Sequence, residues 1–460
     1  MAGFMLLSRA CGRATFPSAG FVLAGLLALS GCGLAVVAQE DAAAAAATAA
    51  QAEGTVARIP ATLAATDFGR RVAASVWDHP ALAGQGARIN AARADLAAVR
   101  AGARPQLSLG ADVTAAIAGG ATGAARLVPV LEGSQLLFDA GATRARMRAG
   151  REGILGEEIA RESLAADLAL GAVEAAYDLR HQARLMRLAQ DNVAVHQQLL
   201  DQIRTRVEAG AGGEGDRFSA ESRLADARAR LAAIRNDLDR ATAVHAEVFG
   251  RGAGPAGPVP PAPGLALADA AAAIADSPRL RGIETRIAAA VATRDAVAAS
   301  RWPALSLELG VSDPGGGVEG RAAVRPRGVI TGGGQRQAAL ARADAQIAEL
   351  EAQRDSAARE VARALAFLRF DQVSGQQRLA AARAALAAQT AARDAVRDQF
   401  DAGRSDSADL LEAQRELFQA EVTLAEAERL LLLSGYAGLT LTGDILDAFG
   451  LRDALAARGS

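Results

Sequence analysis

Lysine is absent from this chain of 460 residues, so all fifty basic side chains are arginine, and they leave a formal net charge of only −2. That balance offers neither the basic surface of a nucleic-acid binder nor an acidic tail. Aromatic residues make up 3% of the chain, too few to fill a thick globular core with rings. Alanine dominates instead, which suits helices packed at close range, because alanine combines the best helix propensity with a small side chain. The two cysteines, Cys11 and Cys32, both lie in the first 32 residues, so no disulfide is expected in the mature chain. His79, His181, His196 and His245 are too dispersed for a metal cluster. Gly332-Gly333-Gly334 lacks the lysine and Ser/Thr of a phosphate loop, and no Gly-x-Ser-x-Gly nucleophile motif occurs in context. Catalysis, a cofactor and a resident metal are therefore not expected. No segment beyond the N-terminal run approaches the ~18 consecutive apolar residues of a spanning helix, so a chain that crosses a bilayer must do so with strands.

The N-terminus is the exception to this evenness. Arg9 and Arg13 precede a short apolar run, Gly20 to Ser30, followed by small residues, as in a secretory signal peptide covering 1–31. The run ends in Leu29-Ser30-Gly31-Cys32, which resembles the lipobox of bacterial lipoproteins and implies acylation of Cys32; cleavage after Ala38 is the other reading. Residues 32–67, with the run Ala42 to Ala47, read as a flexible tether.

The remainder of the chain is a sequence written twice. Pro80 and Pro105 recur as Pro278 and Pro303 at an offset of 198, and Leu107-Ser108-Leu109 recurs as Leu305-Ser306-Leu307. Gly141 and Gly333 each have an arginine three residues on, Arg144 and Arg336. Val207-Glu208-Ala209-Gly210 matches Phe400-Asp401-Ala402-Gly403 at offset 193, and Asp216, Ala220 and Leu224 pair with Asp409, Ala413 and Leu417 in the same register. The copies span 68–249 and 268–445, divided by a Pro/Gly-rich linker at 250–267 and succeeded by a tail at 446–460. Each copy reads helix, strand pair, very long helix, kink, helix. Proline ends the first helix; alternating leucines come next, with turn residues between strands, giving hairpins near 105–138 and 303–331 that close at Phe138 and Ile330. Residues 141–209 and 334–402 are free of proline, and each predicts one helix of about 100 Å, which must pack along its length to be stable. The heptad of Leu410, Leu417, Leu424 and Leu431 with Ala413, Ala420 and Ala427 supplies a seam with small residues for a close partner. Two strand pairs cannot close a barrel, whereas a symmetric trimer would supply twelve strands.

The segments Arg104 to Leu109, Gln135 to Gly141 and above all Phe400 to Thr442 resemble the outer membrane efflux protein family, the TolC-like exit ducts, over about residues 68–445. The resemblance implies a mainly α fold with membrane β: a homotrimer forming a 12-stranded outer-membrane barrel and a periplasmic helical tunnel, with no chemistry of its own. It implies as partners a periplasmic adaptor and an inner-membrane pump of the RND or ABC type, serving efflux or type I secretion, with no nucleic acid involved. Gly210 and Gly403 correspond to helix tips that face the adaptor. Asp409 and Glu412 correspond to acids lining the periplasmic aperture, and Phe400 to an aromatic gate residue. Asp216 corresponds to the acid bridged by an arginine; here the family's arginine position is Ser405, and Arg404 or Arg217 stands nearby. A coiled-coil envelope protein without a pore is the competing reading.

Overall fold

Prolines and glycines set the boundaries of every long element. The computed structural model describes residues 60–459 except 115–116, 119–120, 123–125, 253, 255–256, 265–269, 313–316 and 329–332. The signal run, Cys32 and the cleavage site after Ala38 lie outside the described residues. Helix α1 is Asp67–Trp77, opened by Thr66, whose hydroxyl accepts from the Gly69 amide at 2.9 Å. Helix α2, Pro80–Ala101, begins with proline at its first turn, where no donor is lost. Strands β1 (Gln106–Thr114), β2 (Ile117–Ala118), β3 (Ala121–Thr122) and β4 (Arg126–Phe138) come next, then helix α3, Ala142–Glu208, and helix α4, Glu214–Phe249. Past the linker come α5 (Ala270–Ala275), α6 (Pro278–Ala299), β5 (Ala304–Ser312), β6 (Glu319–Arg327), α7 (Gln335–Asp401) and α8 (Ser407–Thr442). Two short helices, α9 (Asp444–Ala448) and α10 (Leu451–Gly459), end the chain.

The duplication is structural. Helices α2 and α6 have 22 residues each, α3 and α7 have 67, and α4 and α8 have 36. At 1.5 Å per residue α3 and α7 are about 100 Å long. One pairing needs correction. Helix α3 is entered through Ala140 (φ 54°) and Gly141 (φ 87°), and α7 through Gly333 (φ 54°) and Gly334 (φ 85°). The partner of Gly141 is therefore Gly334, and the offset of 193 already holds at the helix entrance. Ala140 is the only non-glycine at positive φ among the described residues, a conformation that β-carbon sterics disfavour by about 1–2 kcal/mol. The second copy has glycine there. Strand β6 runs to Arg327, and Ile330, where the second hairpin is expected to close, lies outside the described residues.

Four strands form an antiparallel sheet in the order β1-β4-β5-β6, so the two hairpins join through β4 and β5, while β2 and β3 pair with each other. The helices continue this order. Helix α2 packs on α3, α3 on α6, and α6 on α7, and these are the helices leading into or out of β1, β4, β5 and β6. Toward the far end, α4 packs on α3, α3 on α8 and α8 on α7. Strand and helix layers thus form one continuous wall, with β1 and β6 as its open sheet edges.

The main core lies halfway along α3. Ala165, Ala169, Ala172 and Ala176 pack there with Val72, Tyr436, Leu439, Ile445, Leu446, Phe449, Leu451 and Leu455. The expected tail thus contributes Leu446, Ala448, Phe449, Leu451 and Leu455 to the core. The linker is seated as well: Val259 and Ala262 pack on this cluster, and the wholly buried Tyr436 donates its hydroxyl proton to the Pro260 carbonyl at 2.9 Å. Leu63, at the end of the expected tether, is buried and donates its amide to the Ala448 carbonyl at 3.1 Å. Phe449→Ala is expected to cost about 3–5 kcal/mol and to lower the melting temperature clearly. An unchanged thermal melt would show that the C-terminal helices do not support the core.

Candidate functional site

Two regions of the wall carry surface chemistry: the sheet and the far helix tips. In the sheet, register sorts side chains cleanly. Leu107, Leu109 and Val113 of β1 stand opposite Gly133, Leu131 and Leu127 of β4, which continue to Leu309 and Val311 of β5 and then to Ala322 and Gly320 of β6. A bulge at Leu137 brings Phe138 opposite Leu305, onto the same face. Leu109 is 80% exposed and Leu107 69%, so this apolar face is uncovered in the protomer. The other face holds Ser108, Asp112, Glu132, Glu308, Arg321, Arg325 and Arg327. On it Glu308 accepts ion pairs from Arg325 and Arg327, each at 3.0 Å. Strands of nine to thirteen residues with a mainly apolar and a charged face have the length and alternation of a membrane barrel wall.

At the tips, each long helix ends in a Schellman turn. The amides of Ala211 and Gly210 donate to the carbonyls of Arg206 (2.8 Å) and Val207 (3.0 Å), and those of Arg404 and Gly403 to Gln399 (2.7 Å) and Phe400 (2.9 Å). The turn requires a left-handed residue, and Gly210 (φ 73°) and Gly403 (φ 69°) provide it. Both tips are exposed.

Behind the turns lies a second core of Leu199, Leu200, Ile203, Ala220, Leu224, Phe400, Leu410 and Leu411. Phe400 is 2% exposed. The guanidinium carbon of Arg206 sits 3.9 Å from its ring centroid, and Arg206 Nη2 donates to its carbonyl at 2.6 Å. In the protomer, Phe400 anchors the tip instead of presenting an aromatic face to an aperture.

Asp216, at the third position of α4, turns back to accept the Gly213 amide at 3.0 Å, and its other oxygen accepts the Ser407 hydroxyl at 3.0 Å. Within the protomer the partner of Asp216 is thus Ser407, where the sequence leaves Arg404 or Arg217 open. Ser407 is buried at the start of α8, while Arg404 is exposed in the turn and Arg217 bonds Glu214 and Glu221. Periodicity shows which face a residue occupies but not a partner 191 positions away, so the serine escapes sequence reading.

Asp409 is exposed and accepts the Ser405 hydroxyl at 3.0 Å. Glu412, one turn on, is half-exposed and bonded by Arg415, with Arg223 of α4 at 3.4 Å. The hydrogen bond from Arg415, then the charges of Arg415 and Arg223, hold its carboxyl below the usual range. The two acids are therefore unequal: Glu412 is neutralised in place, and Asp409 keeps an accessible charge. Among the described residues no three His, Cys, Asp or Glu side chains gather as metal ligands, and no helix is long and apolar enough to cross a membrane.

With this geometry in place, comparison with known proteins is informative. Residues 77–244, from α1 through the first hairpin into α4, match the family model described as outer membrane efflux protein. Over that stretch the chain is similar to that family. It is 26% identical over 337 residues to the outer membrane efflux protein BepC of Brucella suis biovar 1 (strain 1330), covering 69% of this chain and 73% of that one. Its fold is similar to the outer-membrane channel OprN, with a TM-score of 0.74 at 20% identity, covering 86% of this chain and 93% of that structure. The CmeC outer membrane channel of Campylobacter jejuni gives a TM-score of 0.73 at 12% identity, covering 85% and 89%. The mainly helical, TolC-like fold expected from the sequence is thus present in the protomer.

If Ser407 ties the tips together, Ser407→Ala should cost the tip about 1–3 kcal/mol by leaving the Asp216 oxygen without its partner. Amide hydrogen exchange over 403–410 should speed up, while Arg404→Ala leaves it unchanged. The reverse pattern would restore the arginine latch.

Proposed function

We propose that three copies of this chain close into a 12-stranded barrel in the outer membrane, continued by a periplasmic helical tunnel, and that the assembly is a passive exit duct for efflux or secretion. One observation carries the reading: a sheet with one apolar and one charged face whose strand order runs on into a helix wall of the same order. The apolar face, with Leu109 80% exposed, suits hydrocarbon. The charged face suits a water-filled lumen. The free edges of β1 and β6 cannot stay open in lipid, where backbone groups have no water to bond, and threefold closure pairs every edge. A coiled-coil scaffold without a pore explains the heptads but leaves the two-faced sheet without a purpose.

In this assembly the tips at Gly210 and Gly403 form the periplasmic end, exposed for docking to an adaptor that connects the duct to an inner-membrane pump. Threefold symmetry brings Asp409 and Glu412 into a ring of carboxylates at the aperture. Such rings favour cations and bind divalent ions at a constriction. Because Arg415 and Arg223 already engage Glu412, Asp409 carries most of the ring's field.

Purified protein should migrate as a heat-modifiable trimer and conduct ions in planar bilayers. A monomer without conductance would defeat the duct. Within conducting trimers, Asp409→Asn should reduce cation over anion preference severalfold and weaken block by divalent ions. Glu412→Gln should do less. Selectivity equal to wild type in Asp409→Asn would remove the acid ring.

A further inference from the structure

Where strands give way to helices, the chain is strongly basic. The connectors and the three adjoining helical turns, residues 91–105, 139–152, 289–303 and 328–345, hold eleven arginines and five carboxylates, a net +6 in a chain whose total is −2. No other part of the duct reading uses this charge. Its centre is an open cavity of about 880 Å³ between the start of α3 and the end of α6, lined by Phe138, Arg144, Arg294, Asp295, Arg301 and Trp302 among others.

Asp295, the one acid in the lining, is held by Arg148 at 2.9 Å. Arg294 leans on Asp344 at 3.0 Å, and the Arg301 guanidinium lies 5.7 Å from the Trp302 ring centroid. The lining thus holds three arginines, Arg144, Arg294 and Arg301, and one carboxylate, Asp295, which Arg148 and Arg294 (3.8 Å) both approach. Phe138 and Trp302 are 52% and 57% exposed. Phe138 belongs to the apolar face of the sheet through its pairing with Leu305, so the cavity adjoins the surface that meets lipid. Helices α3 and α6 are the inner pair of the four-helix wall, which keeps the cavity away from both edges where another copy would pack.

We infer that this cavity binds the phosphate headgroup of an anionic phospholipid in the periplasm-facing leaflet of the outer membrane. The inference rests on the outer-membrane duct proposed for this chain. Aromatic rings occupy the membrane–water boundary because they present an apolar body and a polar edge, and basic clusters beside it attract anionic headgroups. Arg144, Arg294 and Arg301 would contact the phosphate, while Trp302 and Phe138 border the first acyl carbons.

The chain has two tryptophans, so Trp77→Phe leaves Trp302 as a reporter. Full-length trimer in neutral detergent is titrated with short-chain phosphatidylglycerol, with phosphatidylcholine of the same chain length, and with inorganic phosphate. Phosphatidylglycerol should shift Trp302 fluorescence at a concentration at least ~10-fold below phosphatidylcholine, and phosphate alone should not shift it. Arg144→Gln with Arg294→Gln should weaken the response about 10- to 30-fold, in keeping with the contribution of each basic residue near an anionic surface. Arg359→Gln, far down α7, should leave it unchanged. Equal response to both lipids, a double variant that binds as wild type, or an equal response to inorganic phosphate would each overturn the site. Conductance of the same preparations separates the two readings: lost lipid preference in a conducting trimer refutes the lipid site alone, and absent conductance refutes the duct.

Discussion

A four-stranded sheet leaves a row of backbone donors and acceptors open along β1 and another along β6. In hydrocarbon no water satisfies them, and each unpaired group is expensive. Much of the protomer can be read as a response to that constraint. The apolar residues face one way and most charges the other, which suits the proposed barrel, where the sheet stands between lipid and lumen once its edges pair. Pro129 illustrates how closely the ladder is matched to its edges. It lies in β4 opposite Ala111 of β1, one residue before the pairing with β5 begins at Val130. Among the described residues, the missing N–H therefore falls outside the run that is paired on both sides.

The same order of neighbours governs the helices, because each strand is covalently continuous with the helix that extends it. A helix of 67 residues is not stable alone, and α3 is supported along its whole length: by α2 and α6 near the sheet, by α4 and α8 toward the tip. Alanines make this possible. Ala165, Ala166, Ala169, Ala172 and Ala176 are almost completely buried, and side chains of that size let neighbouring backbones approach. Close approach leaves little volume for a core, so large side chains concentrate at two places, the middle of α3 and the tips. The middle is where α1, α9, α10 and the linker collect, bringing Phe68, Tyr436 and Phe449 together.

Whether a feature was legible in the sequence depends on how local its causes are. The long helices were, since proline-free runs, heptads and the glycines at 210 and 403 act within a few residues. The sheet's apolar alternation was legible for β1 and β5, but β4 carries Pro129, Gly133 and a bulge at Leu137, so its two faces emerge only from the register. The C-terminal helices were not legible. Helices of five and nine residues have almost no intrinsic stability, and Ile445, Leu446 and Leu451 are ordered by contacts with Val72 and Ala165, far away in sequence. The tip partners were hidden for the same reason: resemblance pointed to an arginine beside Asp216, and the chain uses the buried hydroxyl of Ser407.

That substitution bears on how the proposed aperture moves. The acid-bearing second tip is tied to the first by polar contacts, Ser407 to Asp216, Arg223 to Glu412, and Arg206 to the ring and carbonyl of Phe400, beside the core that Leu199, Leu200 and Ile203 share with Phe400, Leu410 and Leu411. A hydrogen bond to a charged group contributes about 1.5–3 kcal/mol, a half-exposed ion pair about 0.2–1 kcal/mol, and a guanidinium over a ring about 0.5–2 kcal/mol. Together they amount to several kcal/mol, enough to hold the second tip against the first in the isolated protein. A partner that separates the tips would have to offset these contacts together with the burial of the shared core, since a ligand shifts such an equilibrium only by its differential affinity. With the buried Ser407 as the partner of Asp216, the charge of Arg404 stays at the exposed surface, where an incoming partner can meet it.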